Sequence, residues 1–149
     1  MAEEASDAAI GRRLGIREGS RVLLLDPPIG FARRLEPLPT GAGVGTRPFG
    51  QSDLVVLFAS SRAALGELFA NASHVLAPRG AIWAAWPRKS SGFFTDLTEE
   101  LVRSVGLAHN MTDNKIMTLD EIWAALRFVV RERDRLVLPR QAEISVPDA

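Results

Sequence analysis

Trp83-Ala84-Ala85-Trp86-Pro87-Arg88-Lys89-Ser90-Ser91-Gly92-Phe93-Phe94-Thr95-Asp96-Leu97-Thr98-Glu99 is the stretch that decides the fold class. It reads as the end of a buried strand, then a polar and cationic loop, then the start of a capped helix. Trp83 and Trp86 lie three positions apart, so on a strand they point to opposite faces. A strand apolar on both faces is the mark of a parallel sheet covered by helices. Trp83 is expected in the core, and Trp86, last on its strand, either in the core or as a pocket wall. In such folds ligands sit in the crevice outside the carboxyl ends of the strands. The loop after Trp86 is therefore the first place to look for a site.

Working outward, Asp53-Leu54-Val55-Val56-Leu57-Phe58 and Arg21-Val22-Leu23-Leu24-Leu25 are short apolar runs of the same kind. Ser60 or Ser61 would cap a helix whose Leu65, Leu68, Phe69, Ala72, Val75 and Leu76 share one face. Pro78-Arg79-Gly80 is expected to end it and to feed the strand Ala81–Trp86. Asp96 with Glu99 has the spacing of a capping box, and Gly106 would stop that helix. Lys115–Leu119 and Ile122–Arg131, separated by Asp120-Glu121, suggest an antiparallel hairpin. Upstream, a short helix is expected around Ala8–Leu14 and one helical turn at Ala32–Leu35. The proline- and glycine-rich segment 36–50 should be irregular, with at most an edge strand near Val44. The expected organisation is a flexible lead-in over 1–11, a single α/β domain over 12–132 and a loosely held tail over 133–149.

Composition narrows the function classes. The 149 residues carry 18 basic and 18 acidic side chains, a net charge of zero, so no field favours nucleic acid or an anionic membrane. No apolar run is long enough to span a bilayer, and the amino terminus lacks an export pattern. A soluble cytoplasmic protein is expected. With no cysteine and only His74 and His109, neither disulfides, thiolate chemistry nor a structural zinc site is expected. His74 falls beside the apolar helix face and His109 in a loop with no evident partner.

The order strand, loop, strand, helix, strand, helix, hairpin predicts an open, mostly parallel Rossmann-like sheet with a C-terminal antiparallel hairpin. That pattern resembles a truncated class I methyltransferase, with Asp53–Phe58 similar to the fourth strand of those enzymes and Leu76–Ile82 to the entry of the fifth. A closer resemblance is to a family of small bacterial methyltransferase-like domains known as a domain of unknown function. It is carried by Leu14-Gly15-Ile16 with Gly19, Pro28-Ile29-Gly30-Phe31 and Trp83 through Lys89. Thr95–Glu99, Arg103, Gly106-Leu107, Asp113-Asn114-Lys115 and Trp123 with Leu126–Val129 continue it. Two positions depart from that family: Ala124-Ala125 stands for Ser-Gly, and Asn110-Met111-Thr112 for Gly-Leu-Val. Asn tolerates the left-handed backbone that a glycine there would supply. The resemblance implies the fold and carries no activity with it.

The residues themselves lack the usual cofactor apparatus. Gly41-Ala42-Gly43-Val44-Gly45 spells a nucleotide-binding glycine pattern, yet no strand precedes it and Arg47-Pro48 follows, so it reads as a loop or edge strand. Where a methyltransferase places its glycines, this chain has Asp26-Pro27-Pro28-Ile29-Gly30. No acid follows a clear second strand to hold ribose hydroxyls. The candidate ligand-binding residues are Asp26, Phe31, Ser60, Trp86, Lys89, Ser91, Asp96, Asp120 and Trp123, grouped around the expected crevice; no catalytic or metal-binding residue and no cofactor is expected. Arg88, Lys89 and the serine hydroxyls beside a helix start would suit a small anion. Lys89 and Lys115 are the only lysines against sixteen arginines, and Lys115, beginning a strand that runs toward the loop, is expected at the opposite end of the sheet with a structural role. Two function classes stay open. One is a ligand-binding or protein-interaction module; the other is a small enzyme using the loop after Trp86, including a divergent S-adenosylmethionine-dependent methyltransferase.

Overall fold

The computed structural model describes residues 10–131. The expected tail, 133–149, and most of the expected lead-in lie outside the described residues, while Ile10 and Gly11 are already buried in the first helix. The elements are α1 (Ile10–Leu14), β1 (Arg21–Leu25), a 3-10 turn (Ala32–Leu35), β2 (Gly43–Gly45), β3 (Ser52–Phe58) and α2 (Arg62–Val75). They continue with β4 (Leu76–Pro87), a second 3-10 turn (Lys89–Ser91), α3 (Glu99–Ala108), β5 (Met111–Thr118) and β6 (Trp123–Val130). One six-stranded sheet runs in the order β2-β1-β3-β4-β6-β5. Every neighbouring pair from β2 to β4 is parallel, and only β6 runs against the others.

Alternation along β4 builds the two faces. Ala81, Trp83 and Ala85 face Ile10 and Leu14 of α1 and Phe31 and Leu35 of the first 3-10 turn. Ile82, Ala84 and Trp86 face Leu65, Phe69 and Ala72 of α2 and Val102 of α3. Trp83 is fully buried, and its indole Nε1 donates to the Leu14 carbonyl at 2.8 Å, which satisfies the last turn of α1. Trp86 is 6% exposed and belongs to the opposite core, so it is packing rather than a pocket wall.

Several local expectations are corrected. Strand β4 begins at Leu76, directly after α2, and the pairing jumps from Ser52↔Leu76 to Leu54↔Ala81. Pro78-Arg79-Gly80 therefore forms an irregularity inside the strand and not the end of the helix. Proline suits such a position because it owes no ladder hydrogen bond. At Gly80 a Cβ would lie 2.8 Å from the Asp53 carbonyl oxygen, so the close approach of β3 selects glycine. Gly106 does not stop α3, which continues to Ala108. A Cβ there would lie 2.1 Å from Cε2 of the buried Phe128, so glycine lets the ring lie against the helix. Thr98, not Asp96, caps α3, accepting from the Leu101 N–H. Lys115 is not at the end of its strand: it pairs with Arg127, which pairs with Trp83 in the middle of β4. Asn110 does take the left-handed conformation expected of it, with φ 64°.

Candidate functional site

The strand order reverses between β1 and β3, since the chain leaves β1 for β2 on one side and then continues with β3 on the other. The space outside the carboxyl ends of those two strands is where this class of sheet holds ligands. Here three of the protein's own aromatic rings pack beside it. Phe31 is 2% exposed, and its ring meets that of Phe58, the last residue of β3, edge-on with centroids 4.8 Å apart. Phe58 in turn meets Trp123 at 5.1 Å. Such edge-to-face pairs add to the stabilisation from burial itself.

An ion pair ties the elements around these rings. Arg34 Nη1 donates to Asp120 Oδ2 at 2.9 Å, and the guanidinium carbon lies 5.6 Å from the Phe31 ring centroid. The other Asp120 oxygen, Oδ1, accepts from the backbone N–H groups of Ile122 and Trp123, each at 2.8 Å. Arg88 Nη1 donates to the Asp120 carbonyl at 3.1 Å. Burial pushes the Asp120 carboxyl up, but the Arg34 hydrogen bond and the Trp123 and Ile122 N–H groups outweigh it, and the net pKa falls below the usual value. A carboxyl held low when folded contributes stability above its unfolded pKa, about 3.9, and that contribution fades as pH falls through the folded value. The stability gap between the parent and Asp120→Asn should thus be steady near neutrality and close in acid below about pH 4. Denaturant midpoints across pH check this, and a gap unchanged at low pH would mean that the carboxylate charge contributes nothing.

The structure brings Phe31, Asp120 and Trp123 together and separates the rest. Asp96 caps a neighbouring helix, accepting from the Arg62 N–H at 2.9 Å. Ser60 uses its carbonyl, which accepts from Thr95 Oγ1 at 2.7 Å. Ser91 Oγ accepts from the Phe93 N–H at 3.1 Å and so closes a local turn. Lys89 is exposed on the second 3-10 turn, and α3 begins only at Glu99, with Glu99 and Glu100 already at its positive end. The expected convergence of Lys89, hydroxyls and helix terminus on an anion is not built. Asp26 stands exposed at the end of β1 with φ 54°. His109 has a partner after all: its Nδ1 lies 3.0 Å from the Val105 carbonyl, and its ring is 5.0 Å from that of Phe69.

Sequence reading missed Arg34 and Phe58, and it gave Arg88 to an anion where the structure gives it to the Asp120 carbonyl. Phe58 was visible as the last residue of an apolar strand, where a large ring borders the crevice. Arg34 gave no local signal, because its partner is 86 residues away. Among the described residues no cluster of His, Cys, Asp or Glu would hold a metal ion, and no helix is long and apolar enough to cross a membrane.

With this geometry in place, solved structures give clear likenesses. A SAM-dependent methyltransferase from Aquifex aeolicus aligns with TM-score 0.60 and 11% identity, over 83% of this chain and 89% of that one. DhpI in complex with SAH aligns with TM-score 0.58 and 14% identity, over 86% and 84%. Magnesium protoporphyrin IX methyltransferase from Synechocystis with bound SAH gives 0.56 and 10%, over 86% and 83%. Neither a protein-family model nor a curated protein matches the chain. At these identities the likeness shows the methyltransferase fold, and the closer sequence family remains a resemblance.

S-adenosylmethionine, the cofactor implied by that fold, does not fit the residues at the end of β1. A bound nucleotide needs backbone N–H groups on a tight glycine turn there. Pro27 and Pro28 have none, and Phe31 fills the space beyond them. Past β2, where an acid would hold ribose hydroxyls, the chain carries Thr46 and Arg47.

Proposed function

We propose that this chain is a methyltransferase-fold module that acts by binding a protein partner and not by transferring a methyl group. The observation that carries the reading is the packing at the carboxyl ends of β1 and β3, where this class of sheet holds ligands: Phe31, Phe58 and Trp123 meet there ring on ring, and Arg34 pairs with Asp120 beside them. Support also comes from the rim. Ile29, after β1, and Phe93 and Phe94, after β4, are exposed to 105%, 56% and 93%. A contiguous apolar patch presented to water is the usual mark of an interaction surface, and these three side chains follow the carboxyl ends of strands of one sheet.

Calorimetric titration with S-adenosylmethionine and with its demethylated product tests the reading. No heat of binding is expected from either. Micromolar affinity for one of them would overturn it in favour of a divergent methyltransferase. That second reading has one feature of its own, the exposed and conformationally strained Asp26 at the end of β1.

A further inference from the structure

On the α1 side of the sheet, away from the crevice, lies a cavity of about 450 Å³ between α1 and the β5–β6 hairpin. Its walls carry five cations, Arg12, Arg13, Arg17, Lys115 and Arg127, together with Asn114, and no carboxylate. Among the described residues none of the five forms a salt bridge. Arg13 is held by the Thr118 carbonyl at 2.9 Å and Arg127 by Asn114 Oδ1 at 3.2 Å, so both guanidiniums are oriented by neutral acceptors. Beneath them lies the indole of Trp83, part of the rigid core. A second cavity, of about 340 Å³, shares Gly15, Arg17 and Arg127 with the first; it carries Glu18 and Asp53 beside Arg79, so the all-cationic lining ends where the first cavity does.

We infer that this cleft is a binding site for a small, multiply charged, phosphate-bearing molecule. Like charges gathered around one cavity repel each other, and the mutual cost is relieved when a polyanion enters. Burial, with the charge of Arg17 adding to it, lowers the Arg127 guanidinium below its ordinary value. Guanidinium forks match phosphate oxygens in pairs, which a single carboxylate does not exploit across several arginines. The volume is that of a small-molecule site. A nucleic acid is the less favoured occupant, because the cleft is walled on two sides and the whole chain has net charge zero. The inference goes beyond the proposed function and does not depend on the state of the crevice at the other end of the sheet.

Melting curves of the full chain with pyrophosphate, against chloride at matched ionic strength, provide the test. At about ten times its dissociation constant pyrophosphate should raise Tm by about 5 °C. Each variant is referred to its own melting point without anion, so a loss of stability does not obscure the reading. Arg17→Ala and Lys115→Ala should each lose at least half of the shift, and Arg127→Lys should weaken binding about tenfold by removing a fork while keeping a charge. Arg33→Ala, on the first 3-10 turn, should keep the full shift. No pyrophosphate-specific shift, or a full shift in the Arg17→Ala/Lys115→Ala double variant, would overturn the assignment. So would a single-stranded oligonucleotide that binds at the same residues and is not displaced by pyrophosphate, since the cleft would then belong to a nucleic-acid surface.

Discussion

Trp83→Ala should lower the unfolding free energy by about 3–5 kcal/mol, the usual range for removing a buried large aromatic. The side chain is fully buried, and it joins α1 to the centre of the sheet. Its loss also leaves the Leu14 carbonyl without the indole donor that now reaches it at 2.8 Å. Trp83→Phe separates the two effects. It keeps most of the ring volume, so its cost is the hydrogen bond, worth about 1 kcal/mol when lost, plus a small cavity, and should fall well short of that of Trp83→Ala. Lys89→Ala, at an exposed position, should stay within about 0.5 kcal/mol of the parent. Denaturant midpoints at constant slope decide it. Equal losses in Trp83→Ala and Lys89→Ala would place the core elsewhere and make Lys89 a structural ion.

The same tryptophan shows why so much of the fold was legible. Strand identity follows from short-range facts: apolar runs bounded by proline and glycine, and alternation that sends Trp83 and Trp86 to different helices. The hairpin and the edge strand at Val44 were readable for the same reason. What failed were readings that depend on a neighbour distant in sequence. Gly106 looked like a helix stop because nothing nearby reveals that the Phe128 ring lies on it. Asp96 has capping spacing for its own helix, yet it serves the Arg62 N–H, 34 residues earlier.

Site residues suffered most, since a site is by nature a meeting of distant segments. Topology put Asp120 and Trp123 together at the hairpin tip, and Phe31 stood with them among the residues of the expected crevice. Their being packed together rather than lining a void depends on side-chain volumes that periodicity does not report. The cationic cleft had one sequence signal, Arg127 inside the apolar run Leu126-Arg127-Phe128-Val129. A charge at a mid-strand position needs a reason, and here it faces a cavity.

Phe31→Ala should cost about 3–5 kcal/mol, because the ring it removes is buried against Phe58 and carries the Arg34 guanidinium at its face. Phe31→Leu, closer in volume, should cost less, since most of the space stays filled. The functional consequence separates two ways in which the protein would exclude S-adenosylmethionine. If the prolines after β1 are decisive, opening the crevice leaves S-adenosylmethionine without the N–H donors it needs, and Phe31→Ala should show no heat of binding. If Phe31 alone were the obstacle, its removal would create micromolar affinity where no heat of binding is expected from the parent. A stability loss under about 1 kcal/mol would be the more serious result, because a packed aromatic does not leave so cheaply. It would mean that the rings do not fill the crevice in solution, and the case against a cofactor there would fall with them.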